Sequence, residues 1–294
     1  MTWAHPEGWL SQALHPSLTV IVITIAIALA VPLFLHFVLF RSSSSRTLPS
    51  FLIVGPSGAG KTSLLTLFER GSPATTHTSQ TPLTVEAALP VTTTAASNRY
   101  RSSHDPSSKE HKIFLLVDTP GHGKLRHHAF ENITSPQHLK GIVFLVDAAN
   151  LSTGAGGPTD AGLREAAEYL HDILLMLQKR AMGTKKVPEM PLLIAANKQD
   201  LFTALPAPLV KAALEAEITK VRESRSKGLL DSGIGMGDSD MAEEKEWLGE
   251  GGEGKFEFAQ MEDVGVSVTI AGGSVLGGEG PEVGKWWDWI AESL

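Results

Sequence analysis

The chain has no cysteine among its 294 residues, only two tyrosines, and fewer basic than acidic side chains. Without thiols there is no disulfide, no thiolate zinc site and no cysteine nucleophile. The excess of 32 Asp and Glu over 25 Lys and Arg leaves a net charge of −7. That balance argues against nucleic-acid binding through the bulk field of the molecule, so no direct nucleic-acid contact is expected. A hydrophobic content of 42% still suffices for a core. The length fits one large domain or a domain with appendages.

Charge is missing most completely at residues 18–40, LTVIVITIAIALAVPLFLHFVLF, which carry no Asp, Glu, Lys or Arg. The run is long enough to cross about 30 Å of hydrocarbon at about 1.5 Å per residue. A cleaved signal peptide would begin with basic residues and end a shorter apolar core in small ones, and a buried core helix is rarely this long without polar positions. Pro32 would kink the span, and His36 lies near its cytosolic end. Only Glu7 is charged before the run, whereas Arg41 and Arg46 follow it directly. The positive-inside bias therefore predicts residues 1–17 outside the cytosol, one transmembrane helix over 18–40, a polar linker over 41–49 and a cytosolic domain over 50–294.

That domain opens with an apolar run, Phe51 to Val54, leading into Gly55-Pro56-Ser57-Gly58-Ala59-Gly60-Lys61-Thr62 and then Ser63, Leu64 and Leu65. The order reads as strand, glycine-rich loop and helix N-terminus. In such a loop successive backbone N–H groups converge on phosphate oxygens, and the helix dipole adds positive potential. The lysine reaches the β- and γ-phosphates and the Thr62 hydroxyl binds Mg²⁺. A chance glycine-rich turn would need neither the strand before it nor the helix after it.

Two further strands end in polar motifs. Lys112 to Val117 runs into Asp118-Thr119-Pro120-Gly121-His122, and Pro191 to Ala196 runs into Asn197-Lys198-Gln199-Asp200. A carboxylate at a strand end beside a phosphate loop holds Mg²⁺ through water, and the Gly121 amide would donate to a γ-phosphate. Alone, Asp-x-Pro-Gly is also a good turn. The Asp200 carboxylate accepts from guanine N1–H and the exocyclic amine together, whereas adenine would leave it unpaired. Asn197 would orient that loop and touch the base edge, and the Lys198 stem would cover the ring face.

Between these motifs lie strand signals at Pro82–Leu89, Gly141–Asp147 and Val264–Ile270, an amphipathic helix over Asp160–Arg180 and helices from about Pro208 to Arg222 and from Glu282 to Leu294. The alternation predicts an α/β, P-loop NTPase fold with a mostly parallel sheet and helices on both faces. Residues 92–111 read as a polar insertion, and the glycine-rich, acidic stretch 224–254 as a loop without structure of its own. Trp286, Trp287 and Trp289 are expected to pack the last helix on the sheet.

With the phosphate loop, Asp118-x-x-Gly121 and Asn197-Lys-x-Asp200 in this order, the chain resembles the Ras-like GTPase superfamily. Within it the resemblance is to the family of signal recognition particle receptor β subunits. It rests on the N-terminal span, Gly55 to Ser63, Asp118 to His122, Asn197 to Asp200, Lys255-Phe-Glu-Phe-Ala-Gln260 and Lys285-Trp286. Other small GTPases use lipid tails or amphipathic helices as anchors. The resemblance implies GTP and Mg²⁺ as cofactors, a heterodimer with the receptor α subunit at the endoplasmic reticulum membrane, and a role in co-translational protein targeting. It implies that Gly55, Pro56, Ser57, Gly58, Ala59, Gly60, Lys61, Thr62, Ser63, Thr81, Gly121, Asn197, Lys198, Asp200 and Ala271 hold the nucleotide. Thr62, Thr81 and, through water, Asp118 would hold the metal.

Three places depart from the superfamily pattern. The switch threonine is taken as Thr81 over Thr78 and Thr84, because Gln80-Thr81-Pro82-Leu83 best resembles the family's first switch. His122 stands where Ras-type enzymes carry the water-orienting glutamine, which implies slow hydrolysis. The last base loop, Ala271-Gly272-Gly273-Ser274, lacks Ser-Ala-Lys. Two other readings stay open: an Arf- or Sar-like GTPase of vesicle traffic, and a guanylate kinase, whose phosphate loop is similar but which lacks Asn-Lys-x-Asp and a span.

Overall fold

Ser50 to Val54 forms strand β1, and every one of its residues is buried. Alternate side chains enter different cores. Leu52 and Val54 join one cluster, while Phe51 and Ile53 join the other. A strand covered on both faces reads as a continuous apolar run. The computed structural model describes residues 21–32, 48–90, 112–135, 138–151, 160–183, 188–232, 248–249, 254–278 and 280–294. The chain divides into two units, Met1–Thr47 and Leu48–Leu294.

In the first unit residues 21–32 are helical and exposed throughout. Among the described residues no helix is long and apolar enough to cross a membrane. The span expected over 18–40 extends past residues 21–32 at both ends; those parts, the stretch 1–17 and residues 41–47 of the expected linker lie outside the described residues.

The second unit runs β1, α1 (Lys61–Arg70), β2 (Leu83–Ala88), β3 (Ile113–Asp118), a short 3-10 turn (Gly123–Leu125), α2 (His127–Thr134), β4 (Leu139–Asp147), α3 (Asp160–Met182), β5 (Met190–Asn197), α4 (Ala207–Ser232), a second 3-10 segment (Phe258–Val264), β6 (Val266–Gly272) and α5 (Gly284–Ser293). Its six strands lie in the order β2-β3-β1-β4-β5-β6. All neighbours are parallel except β2, which runs antiparallel to β3.

Helices α2, α3 and α4 pack on one face, through Ile133, Leu170, Ile173, Leu214 and Ile218 among others. Helices α1 and α5 pack on the other, through Leu64, Leu65, Trp286 and Ile290. Each large side chain buried this way contributes about 1.5–3 kcal/mol. Strand β1 lies between β3 and β4, and the connections on its two sides use helices on opposite faces, α1 and α2. That is the switch point of a doubly wound sheet, where a crevice opens at the C-terminal strand ends.

The tryptophans pack α5 as expected. Trp287 stacks on Phe68 of α1 with ring centroids 3.8 Å apart, Trp289 meets Phe51 edge-on at 6.0 Å, and Trp286 Nε1 donates to Ala271 O at 3.2 Å.

The stretch 224–254 differs from the expectation. Helix α4 continues through residues 224–232, since no proline interrupts it and Gly228 alone costs only about 1 kcal/mol. Arg225 ties this part of α4 to α3 by donating to Asp172 Oδ1 at 2.7 Å. Leu248 is 1% exposed in the core, and Gly249 N donates to Gln178 Oε1 at 2.9 Å. Residues 233–247 and 250–253 of that stretch lie outside the described residues, as does the expected insertion at 92–111.

Candidate functional site

The loop from β1 into α1 closes on its own lysine. Lys61 Nζ donates to Gly55 O at 2.9 Å and to Pro56 O at 2.8 Å, and the side chain is buried. Burial pulls its pKa down to about 8, against the opposing attraction of Asp118. Gly60 caps α1 with φ +96°, and a Cβ there would lie 2.5 Å from Asn197 Nδ2. Gly121 leaves no room either: a Cβ on it would sit 2.7 Å from Gly55 O and against the Lys61 ammonium. Only bare backbone fits beside the loop at both points.

Asp118 ends β3 and is 1% exposed. Its Oδ2 accepts from the Thr62 hydroxyl at 2.6 Å. Its Oδ1 is buried with no hydrogen-bond partner among the described residues. Burial pushes the carboxyl pKa up, opposed by the Thr62 hydrogen bond and the Lys61 charge. The neighbouring Thr119 hydroxyl donates to Ile53 O at 2.8 Å, fixing β3's end against β1. An orphaned carboxylate oxygen beside a threonine hydroxyl is a hard oxygen set that suits Mg²⁺.

At the other end of the crevice Asn197 braces two loops. Its Nδ2 donates to Ala59 O at 2.8 Å, and its Oδ1 accepts from Val275 N at 3.1 Å. Asp200 Oδ1 accepts from the Ser274 hydroxyl at 2.5 Å, and Gln199 Nε2 donates to Leu205 O at 2.6 Å. Lys198 Nζ donates to Asp147 Oδ2. A cavity of about 450 Å³ joins the two ends, bordered by Ser57, Lys61 and Thr62 on one side and by Asn197, Lys198 and Asp200 on the other. Gly121 and the segment Thr76–Ser79 also line it. Ser63 and Thr76 share a hydroxyl hydrogen bond of 2.9 Å.

Not every expected residue reaches this cavity. Gly55, Pro56, Ala59 and Asp118 are not among the lining residues, and neither is Thr81, which is exposed, whereas Thr76 and Thr78 are. Thr84 pairs with Val117 in the β2–β3 ladder. His122 caps the short 3-10 turn, its Nδ1 accepting from Lys124 N at 3.3 Å, and it too is outside the lining. Ala271 lies within β6, in register with Ala195. The last loop instead brings Val275 and Leu276 into the lining and Ser274 onto Asp200.

Val275, Leu276 and Asp147 stand in none of the sequence motifs, and Ser274 only closes the loop Ala271-Gly272-Gly273-Ser274. Asp147 did have a signal, since it ends an apolar strand run as Asp118 does. Ser274 is the first hydroxyl after β6.

The strand order, the β1–α1 loop over a buried lysine, and polar motifs at the ends of β3 and β5 define a P-loop nucleotide-binding domain of the GTPase type. The family model described as the signal recognition particle receptor beta subunit matches residues 46–266. The signal recognition particle receptor subunit beta of Saccharomyces cerevisiae is 33% identical over 247 residues, which are 84% of this chain and 84% of that protein. Among solved structures, the signal recognition particle receptor SRb-GTP/SRX complex from Chaetomium thermophilum gives a TM-score of 0.66 at 36% identity, covering 83% of this chain and 99% of that chain. The SRb-GDP-Mg structure from the same organism gives 0.62 at 38% identity, covering 86% and 100%. The chain belongs to the signal recognition particle receptor β-subunit family.

Proposed function

We propose that this chain is the membrane-anchored, GTP-binding subunit of a signal recognition particle receptor, holding the α subunit at the endoplasmic reticulum for co-translational targeting. The observation that carries the reading is the single cavity with a phosphate-type cradle at one end and the Asn197–Asp200 loop at the other. Solved relatives described as SRb-GTP/SRX and SRb-GDP-Mg support both the nucleotide and the metal.

In this reading Gly55 to Ser63 wrap the phosphates, Lys61 turns its ammonium from the Gly55 and Pro56 carbonyls toward them, and Gly121 presents its amide. Thr62 and Asp118 would hold Mg²⁺, which neutralises phosphate charge when bound. Thr81 remains the proposed switch threonine, which must move from its exposed position to reach the metal. Asp200 reads guanine, and Ser274 spends one carboxylate lone pair to aim the rest. His122, outside the cavity lining, accords with a switch that hydrolyses GTP slowly. The uncharged run 18–40, of which residues 21–32 are helical with exposed apolar side chains, supports a single-span anchor with the GTPase domain cytosolic.

GTP would order the segment around Thr76–Thr81 and Gly121 to make the surface that recruits the α subunit. The test is purification of the full chain from detergent-solubilised membranes loaded with GTP or GDP. Recovery of the receptor α subunit, favoured by GTP, is expected. Recovery of vesicle coat proteins without it would overturn the assignment in favour of the traffic GTPases. Asp200→Asn places a donor against guanine's own donors and is expected to weaken GTP binding by about 10³-fold or more. Unchanged affinity in that variant would remove the base assignment.

A further inference from the structure

Lys198 is one of only two non-glycine residues with positive φ among the described residues, at +64°. Lysine seldom adopts that backbone without compensation. Its compensation comes from another strand. Lys198 Nζ donates to Asp147 Oδ2 at 2.5 Å, and Asp147 is itself held: its Oδ1 accepts from Ala149 N at 3.1 Å. That self-turn fixes the carboxylate whether or not the lysine arrives.

The sheet sets the two residues side by side, because Asp147 and Asn197 are register partners at the ends of β4 and β5. Ala148 then links the loops, donating to Asn197 O and accepting from Leu205 N, each at 3.0 Å. Lys198 lines the cavity and Asp147 does not.

We infer that Asp147 is a positioning residue for base recognition: it draws the Lys198 ammonium aside and lays the apolar lysine stem along the base end of the cavity. This rests on the guanine-nucleotide reading of the site. The pair is partly exposed, at 36% for the lysine and 20% for the aspartate. Such a pair contributes little to folding. Its effect belongs to nucleotide retention, with the lysine stem held in place before the base arrives.

The test is release of ribose-labelled N-methylanthraniloyl-GDP from the full chain in detergent, chased with unlabelled GDP. It compares wild type, Asp147→Asn, Lys198→Met and the double variant. Asp147→Asn keeps the acceptor for Ala149 N and is expected to speed release about fivefold, with the melting temperature of the nucleotide-free protein unchanged. Lys198→Met, which keeps an apolar stem without its anchor, is expected to do the same, and the double variant to add nothing further.

Unchanged release in either single variant would overturn the inference. So would a full additional effect of Asp147→Asn on the Lys198→Met background, which marks a carboxylate acting through the fold rather than through the lysine. A wild-type chain that retains no labelled GDP overturns the guanine reading itself, a result distinct from wild-type retention with silent variants.

Discussion

One oxygen of Asp118 takes the Thr62 hydroxyl and the other takes nothing among the described residues, in a place where burial already disfavours the charged form. A buried, half-satisfied carboxylate is costly to the fold and useful to a cation. Asp118→Ala is therefore expected to lower GTP affinity about tenfold or more in Mg²⁺ and to reduce its dependence on Mg²⁺. Calorimetric titration with and without the metal checks both. Ser274→Ala removes the donor on Asp200 and is expected to weaken GDP binding about tenfold in an equilibrium titration.

These two residues also mark what was legible at this scale. Asp118, Lys61 and Asp200 stand in contiguous motifs whose spacing announces their chemistry. Ser274 and Asp147 meet their partners only because the fold brings them from 74 and 51 positions away, and spacing along the chain carries no such information. Thr81, His122 and Ala271, assigned by resemblance, do not line the cavity. The first belongs to a segment whose place depends on the nucleotide in the proposed switch.

Among the elements, the buried strands and α3 were readable because an apolar run or a helical period has one physical solution when both sheet faces are covered. The antiparallel pairing of β2 was not, since a short, largely exposed strand at a sheet edge carries no mark of direction. The far end of α4 is not legible in composition: glycine and charge suggest a loop, while its backbone continues as helix to Ser232.

The side chains joining α3 and α4 make a pH prediction. Burial would raise the Asp172 pKa, but hydrogen bonds from His171 and Arg225 and their charges outweigh it and hold the carboxyl below its usual value. Its stabilising contribution is fully present above the unfolded pKa of about 4 and is lost as pH falls through the folded value. The stability gap between wild type and Asp172→Asn in urea melts should therefore close as pH falls from about 6 to 3. A gap that stayed constant would mean the pairing has no part in it. At α5, Trp289 is 7% exposed against β1, and Trp289→Ala is expected to cost about 3–5 kcal/mol in the same melts.

At the scale of the whole molecule, a GTP-responsive surface becomes useful to a targeting receptor when it is tied to a membrane. Deleting residues 1–47 leaves the unit Leu48–Leu294 with both hydrophobic clusters complete. The shortened chain is expected to remain in the high-speed supernatant and to bind GDP as the full chain does, while the full chain pellets with membranes. The central claim is that the cavity between Lys61 and Asp200 selects guanine nucleotide. It is tested most directly by calorimetric titration of the full chain in detergent and Mg²⁺ with GTP and then ATP. The expected result is binding of GTP with a preference over ATP of about 10³-fold or more, since adenine leaves the Asp200 carboxylate without its donors. Equal affinity for ATP would contradict the account.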